Sequence, residues 1–328
     1  MITCAIVGAT GLVGSTFLKV LEEKKLPIDE YYLFASKNSK GKKIIFMDKE
    51  YEVQELTEDI PKKAFTYALF SSGKEISLKY AKEFTKYGTI VIDNSSAFRM
   101  DKDIPLVVPE INIEDAYSEK LIANPNCSTI QEIVALKPLH DKYKIKRVVV
   151  STYQAVSGAG KKGIDDFENT SKGLPAKKFP YKIYNNCIPH IDDFDKLDYT
   201  KEELKMINET RKILKIPDLK ITANCVRVPV LNCHSEYVNI EFEKDFDILD
   251  LKQTLSISPG IVVLDDVRFN IYPLNAFANN KDEVFIGRIR RDLSVKSGIN
   301  LWIVADNIRK GAASNAVQIL ERLLKKDY

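Results

Sequence analysis

One cysteine, Cys127, stands in the stretch NPNCSTIQ at residues 124–131, after a loop containing Pro125 and before the apolar periodic run STIQEIVAL. Ser128 with Gln131, or Thr129 with Glu132, has the spacing of a capping box, which puts the thiol at or near the first turn of a helix. The dipole there favours thiolate over thiol, so a nucleophile is available near neutral pH. A thiolate adds to a carbonyl, and a hydride transfer from the adduct then needs a second group to take the hydroxyl proton. The commoner fate of any one cysteine is burial as a small apolar residue, and Cys4, Cys187, Cys225 and Cys233 are expected to follow it. Three histidines are available as the partner. His140 ends the helix after Cys127, His190 follows Pro189 in a loop, and His234 lies in VRVPVLNCHSEY, seven residues after Arg227. An intervening turn decides whether Arg227 and His234 share a face, so spacing leaves the choice among the three open.

A second set of residues has the chemistry of a phosphate cradle. GATGLVG places Gly8, Gly11 and Gly14 between the apolar run Ile2 to Val7 and Leu12, Val13, Phe17, Val20 and Leu21 at helical spacing. In a strand-turn-helix such glycines admit a diphosphate to the helix N-terminus. The next strand ends at Ser36 without the carboxylate that grips a ribose 2′-hydroxyl. Instead the chain reads SKNSKGKK, with Ser36, Lys37, Asn38, Ser39, Lys40 and Lys42. Hydroxyls, an amide and cations suit a 2′-phosphate, so NADP is expected rather than NAD.

The elements that must position these groups fall into two grammars. Strand-like YYLFAS at 31–36, YALFSSG at 67–73 and TIVIDNSS at 89–96 alternate with helical stretches such as Ile76 to Tyr87, which predicts a doubly wound parallel α/β sheet. From about residue 145 come the long β-type runs RVVVSTYQAVSG, ITANCVRVPVLNCHSEYVNIEFE and DEVFIGRIRRDLSVKSGINLWIVADN, which read as an antiparallel sheet with a hairpin turn at KSG, 296–298. Helices are expected near 159–172, from Lys201 to Leu214 behind a Thr200/Glu203 capping box, and from Asn307 to Lys326. The small residues Gly311, Ala312, Ala313 and Ser314 suit close packing of that last helix on the first domain. Glu202, Lys205, Glu209 and Lys212 share one helix side opposite Leu204, Ile207 and Leu214, the pattern of a solvated, salt-paired face.

With 328 residues, two domains are the first expectation. The 49 Lys and Arg against 46 Asp and Glu are scattered, so nucleic acid is not the expected partner. The five cysteines form no CxxC pair, which suits reduced thiols in the cytoplasm, and no metal site is expected. The first residues lack the charged leader and long apolar run of a signal peptide, and no stretch reaches the length of a transmembrane helix, so no membrane role is expected.

Taken together, GATGLVG, DNSSAFRMD, VVPEIN, NPNCST, QAVSGAG, EELK, RVPVLNCHSE and WIVADNIRKGAA, in this order, resemble the aspartate-β-semialdehyde dehydrogenases of the shorter bacterial type along essentially the whole chain. The resemblance implies an NADP-binding Rossmann domain over 1–127, completed by a C-terminal helix over 307–328. It implies an α+β catalytic and dimerisation domain with a largely antiparallel sheet over 128–306. Cys127 would be the nucleophile and His234 the general acid/base, with Asn126 beside the cysteine and Gln154 positioning the substrate. Arg227 would bind the substrate α-carboxylate and Glu202 its amino group, while Arg99 and Lys205, with Asn94 near them, would anchor phosphate. Gly8, Thr10, Gly11, Leu12, Val13, Ser36, Asn38, Ser39, Ser157, Gly158 and Asn307 match cofactor-binding positions. Asn38 stands where the family often carries arginine, and Lys74 replaces a usual glycine after SSG. The implied reaction is the NADP-dependent interconversion of aspartate 4-semialdehyde and 4-phospho-aspartate through a cysteine thioester, feeding lysine, threonine and methionine synthesis. A homodimer, or a homotetramer of paired dimers, is the implied assembly. N-acetyl-glutamyl-phosphate and acyl-CoA reduction share the chemistry and are the alternative substrates; a catalytically silent NADP-binding scaffold is the alternative of a different class.

Overall fold

The apolar runs of the first third become the strands of one parallel sheet. The computed structural model describes residues 1–326, and its residues group into two compact units, one formed by Met1–Pro125 with the chain from Ala312 onward and one by Asn126–Gly311. In the first unit β1 (Thr3–Val7), β2 (Glu30–Ala35), a separate hairpin of β3 (Lys43–Phe46) and β4 (Lys49–Glu52), β5 (Gln54–Glu55), β6 (Tyr67–Phe70), β7 (Ile90–Asp93) and β8 (Leu121–Ala123) follow in order. The six-stranded sheet runs β5-β2-β1-β6-β7-β8, and all its pairings are parallel. After β5, which lies beyond β2, the chain crosses to the other side of β1, which makes the carboxyl ends of β1 and β6 the switch point where α/β sheets bind ligands.

A helix over Leu12–Lys24 leaves β1 through the glycine loop, and the helix expected from Ile76 spans Lys74–Lys86. A π-turn at Arg309–Ala313 leads into the helix Ser314–Lys326, which carries Ala316, Val317, Leu320, Leu323 and Leu324 into the same apolar core as Phe17, Leu21 and Leu33. Lys24 pairs with Glu321 at 2.9 Å beside this contact. Residues 327 and 328, the end of the expected C-terminal helix, lie outside the described residues.

The second unit is built on β9 (Ile145–Gln154), β10 (Lys220–Arg227), β11 (His234–Phe242), β12 (Ile261–Val263), β13 (Val284–Arg291) and β14 (Gly298–Ala305). Their order is β10-β9-β11-β14-β13-β12. The three inner pairings are antiparallel and the two outer ones parallel, so the sheet is largely antiparallel, as expected, with a parallel pair at each edge that makes it mixed. The physical reason lies in VPVLNC, 228–233: this segment does not close a hairpin but spans the end of β9, setting β10 and β11 on its two sides. Val228 N–H donates to the Gln154 carbonyl as it crosses, and Cys233 turns back with φ of 69°. The β13–β14 hairpin reverses over 292–297, closed by Asp292, whose carboxylate accepts from Ser294; Gly298 already belongs to β14. Among the described residues no helix is long and apolar enough to cross a membrane.

Candidate active site

Cys127 is the first residue of a helix that runs to Tyr143. Its cap is not the expected capping box. Asn126 caps instead, its side-chain oxygen accepting from Ser128 N–H at 3.0 Å and Thr129 N–H at 3.3 Å. Gln131 and Glu132 are drawn elsewhere, the first to the His234 carbonyl at 3.4 Å and the second to the Thr210 hydroxyl at 3.1 Å. With Asn126 satisfying two first-turn amides, the thiol sits at the positive end of the helix.

Asn126 is itself held from below by the helix Lys201–Leu214. Its side-chain N–H donates to Glu202 at 2.9 Å and its backbone N–H to Glu209 at 2.7 Å. Glu202 and Glu209 are buried, and so are Ile207 and Leu214 on the other side, so the expected solvated face is an interior one. The reason is the partner: carboxylates enter an interior when fixed N–H donors and a cation meet them there. Lys205 supplies the cation, reaching Glu202 at 3.1 Å and Asp192 at 2.8 Å. Burial alone would raise the Glu202 pKa, but the Lys205 ammonium and the Asn126 amide outweigh it and keep the carboxyl below its ordinary value. The helix opens, as the sequence predicts, with Thr200 and Glu203 in a reciprocal capping box.

The sheet brings three more residues to one end. Arg227 closes β10 in register with Gln154, the last residue of β9, and His234 opens β11 on the other side of β9. Gln154 donates to Glu202 at 3.2 Å, tying this sheet edge to the Asn126 network. Arg227 donates to the Ala155 carbonyl at 2.6 Å and lies over the Phe179 ring. Burial lowers its pKa, while Glu202 and Cys127 act on it in the opposite sense.

His234 is fully buried. Ala155 N–H donates to its Nδ1 at 3.0 Å, and Nε2 has no partner among the described residues. Burial, followed by the Arg227 charge, pushes the imidazole pKa down to about 3. The neutral ring therefore carries its proton on Nε2, the nitrogen left open. Gly158 makes this packing feasible: a Cβ there would lie 2.8 Å from Arg227 Nη1 and 3.0 Å from His234 Nε2. The other two histidines have local partners, His140 accepting from Ile145 N–H at 3.2 Å and His190 stacking on Phe194.

Ser157 and Asn307 bond to each other, and Asn307 also accepts from Cys233 N–H at 2.9 Å. Gly311, expected among the small residues facing the first domain, belongs to the second unit, where a Cβ on it would meet Cys127 Cβ at 2.8 Å. Cys4, Cys225 and Cys233 are buried as expected, whereas Cys187 is exposed, because it sits in an irregular loop and not in a strand. Sequence reasoning missed Glu209, Ala155 and Phe179. Glu209 lay in a face read as solvated, and the other two act through a backbone amide and a ring face that no motif marks.

In the first unit, Gly8 has φ of 92° and donates its N–H to the Phe34 carbonyl. The helix after Gly11 begins without a side-chain cap, and the space where a Gly11 Cβ would project is open to 3.4 Å. Leu12 and Val13 therefore offer first-turn amides to an anion, the fit a dinucleotide diphosphate requires. Thr10 and Ser39 hydroxyls meet at 3.1 Å beside them, and Ser36 leads into the short turn Lys37–Ser39 that carries Asn38. Arg99 is buried and donates to the carbonyls of Asn124 and Asn94 at 2.9 and 3.1 Å. Asp93, held by Ser77 and Ser95, lies next to it.

Residues 3–119 match the family model "Semialdehyde dehydrogenase, NAD binding domain" and residues 136–310 match "Semialdehyde dehydrogenase, dimerisation domain". An aspartate-semialdehyde dehydrogenase of Aquifex aeolicus is 53% identical over 332 residues, covering 98% of each chain. The crystal structure of aspartate semialdehyde dehydrogenase II from Vibrio cholerae, complexed with ASA, is similar with a TM-score of 0.94 at 46% identity, covering 100% of this chain and 99% of that one. The aspartate semialdehyde dehydrogenase of Candida albicans, solved with NADP, is similar with a TM-score of 0.80 at 25% identity over 100% of each chain. On this likeness of sequence and fold over its whole length, the chain belongs to the aspartate-semialdehyde dehydrogenase family of oxidoreductases, whose first domain takes a nicotinamide cofactor.

Proposed function

We propose that the chain catalyses the reversible, NADP-dependent reductive dephosphorylation of 4-phospho-L-aspartate to L-aspartate 4-semialdehyde, through a thioester on Cys127. The observation that carries this reading is the buried His234 imidazole, pinned through Nδ1 by Ala155 with Nε2 open, at the sheet end shared with Gln154 and Arg227. In the oxidative direction the Cys127 thiolate adds to the aldehyde carbon, giving a thiohemiacetal. Nε2–H of His234 shares its proton with the adduct oxygen as the oxyanion forms and holds it wholly again as hydride leaves, and a thioester remains. Phosphate attacks the thioester carbon and expels the thiolate, giving the acyl phosphate. In the reductive direction the same steps reverse, Nε2–H of His234 again sharing its proton with the oxyanion as it forms and drawing it back as the thiolate leaves.

Around this centre Arg227 would take the α-carboxylate through its planar fork, Glu202 the ammonium group, and Gln154 and Asn126 the reacting end. Lys205 and Arg99 would anchor phosphate. Bound NADP supplies or accepts the hydride. Gly8, Thr10, Gly11, Leu12, Val13, Ser36, Asn38, Ser39, Ser157, Gly158 and Asn307 are the positions that the family likeness assigns to holding it. The lack of a carboxylate among Ser36, Lys37, Asn38 and Ser39 supports NADP over NAD.

The same reading places the enzyme in the cytoplasm, on the route from aspartate to lysine, threonine and methionine, as a homodimer. Exposed apolar surface of the second unit supports the dimer: Tyr153 of β9 packs on Trp302 of β14 at 5.5 Å, and Phe269 and Phe277, in the short turns between β12 and β13, are exposed. The test is a spectrophotometric assay of the purified chain with aspartate semialdehyde, phosphate or arsenate, and NADP and NAD in parallel. Phosphate-dependent reduction of NADP is expected. Turnover with only the N-acetyl-glutamate analogue would reassign the substrate.

A further inference from the structure

The nucleophile's helix and the start of β11 enclose a polar group that the chemistry above does not use. Glu132 and Glu236 are both fully buried. Glu236 lies two residues beyond His234, so both side chains leave the same face of β11. Thr210 donates to one oxygen of Glu132. The other Glu132 oxygen, both Glu236 oxygens and the Gln131 side-chain oxygen are buried without a donor among the described residues. The Gln131 amide is near enough to favour ionised Glu236, yet its hydrogen bond goes to the His234 carbonyl.

Four buried acceptors without a donor are a contradiction as long as both carboxyls are ionised, because a carboxylate accepts only. A proton on each acid turns two of these acceptors into donors and lets the set close on itself. The surroundings push the same way. Burial raises Glu132 to about 8, and burial followed by the Glu132 charge raises Glu236.

Among the described residues no cation acts on either carboxyl. From β10 the neighbour is Cys225, on which Glu202, Glu203 and Glu236 act. Thr152 of β9 and Ile303 of β14 lie in register beside Glu236. Thr210 and Glu209 come from the helix Lys201–Leu214, and His234 from β11 itself is neutral. The charged residues of β13, Arg288, Arg290 and Arg291, are exposed, and Asp250 of the helix Ile248–Ser256 is taken by Lys142 and Tyr143 at the helix's far end.

We propose that Glu132 and Glu236 form a protonated carboxyl pair, closed on each other and on Gln131, that holds the helix beginning at Cys127 against the strand beginning at His234. They are positioning residues. Their catalytic consequence rests on the reading of Cys127 and His234 given above, whereas the pair itself does not.

The sign of the pH dependence follows. The unfolded glutamates titrate near their ordinary value of 4.5, and Glu132 in the fold near about 8. The pair's contribution to stability is full below the first value and is lost as pH rises through the second. The experiment measures the Tm of the full chain from about pH 5 to about pH 9 for wild type, Glu132→Gln and Glu236→Gln. An amide supplies a donor without needing a proton. Wild type is expected to lose Tm across the window; each variant should lose less and melt above wild type at the alkaline end. Infrared spectra near neutral pH should show the carbonyl band of an un-ionised acid in wild type, diminished in both variants. The alkaline fall of kcat should move to higher pH in Glu132→Gln. A wild type without the acid band, or variants whose Tm falls as steeply as wild type, would overturn the pair. An unmoved alkaline limb would overturn its positioning role. The infrared and melting measurements stay readable even if the proposed reaction itself fails in the assay.

Discussion

The backbone amide of Ala155 donates to Nδ1 of His234 at 3.0 Å, so the tautomer of a buried imidazole is set by the residue that follows Gln154 at the end of β9. The end of β9 thereby sets which nitrogen of the buried ring carries the proton. Replacement of the amide donor at this point would need a change of backbone, which is why no single side chain in the sequence advertises it.

His234 accordingly stays neutral in the free protein well below neutral pH, its pKa pushed down to about 3 by burial and by Arg227. A group with a depressed pKa of this kind contributes stability above its unfolded value of 6.5 that is lost as pH falls toward the folded value. His234→Gln should lose about 10²- to 10⁴-fold in kcat while its Tm falls less than that of wild type between about pH 6 and about pH 4. The kcat/KM profile of wild type should show no histidine-like titration between about pH 5 and about pH 8. A pronounced limb near 6.5 in that profile would mean that His234 is solvated and charged.

Gly158 offers a sharper probe, since its φ is ordinary and only the space around it forbids a side chain. Gly158→Ala would press on Arg227 and His234 together, at 2.8 and 3.0 Å. A stability cost of about 1–3 kcal/mol is expected, with a loss of kcat greater than about 100-fold, because both displaced groups belong to the proposed chemistry. Urea denaturation beside steady-state kinetics checks this. Full activity in a folded variant would show that Arg227 and His234 tolerate displacement.

Much of this architecture was legible in the residues. The glycine loop after β1, the alternating strands and helices, and the Thr200/Glu203 cap are local patterns with local causes. The placement of β10 and β11 on opposite sides of β9 was not legible, because VPVLNC carries turn residues whether it closes a hairpin or crosses a strand end. The burial of Glu202 and Glu209 was hidden for a related reason: helical periodicity marks charged faces as solvated unless a buried partner such as Asn126 N–H is already known to face them. Arg227 and His234 are seven residues apart in sequence, yet they become neighbours of Gly158 only through that strand crossing.

Arg227 spends one N–H on the Ala155 carbonyl at 2.6 Å, leaving the rest of its fork for a ligand. Arg227→Lys keeps the charge and loses the planar pair of donors. The KM for aspartate semialdehyde should rise about 10- to 100-fold, the worth of a charged hydrogen bond, with a smaller effect on kcat. An unchanged KM would remove this arginine from recognition of the substrate carboxylate.

The last test concerns covalency. Cys127 leads its helix with Asn126 as cap, and Glu202 and Glu209 fix that asparagine from two directions, so replacement of the sulfur by oxygen leaves every one of these hydrogen bonds in place. A serine hydroxyl at this position stays protonated where a thiolate forms, and helix geometry alone does not make it a nucleophile. Cys127→Ser should therefore lose at least about 10³-fold in activity with an unchanged Tm, and no acyl adduct should appear when intact protein is weighed by mass spectrometry after acyl phosphate is added without reductant. Wild type under the same conditions should gain the mass of an aspartyl group, removable by hydroxylamine. Cys127→Ala should bind NADP as wild type does, which separates loss of the nucleophile from loss of the cradle around Gly8. A Cys127→Ser variant with full turnover would exclude the thioester and leave direct hydride transfer from an aldehyde–phosphate adduct as the chemistry to examine.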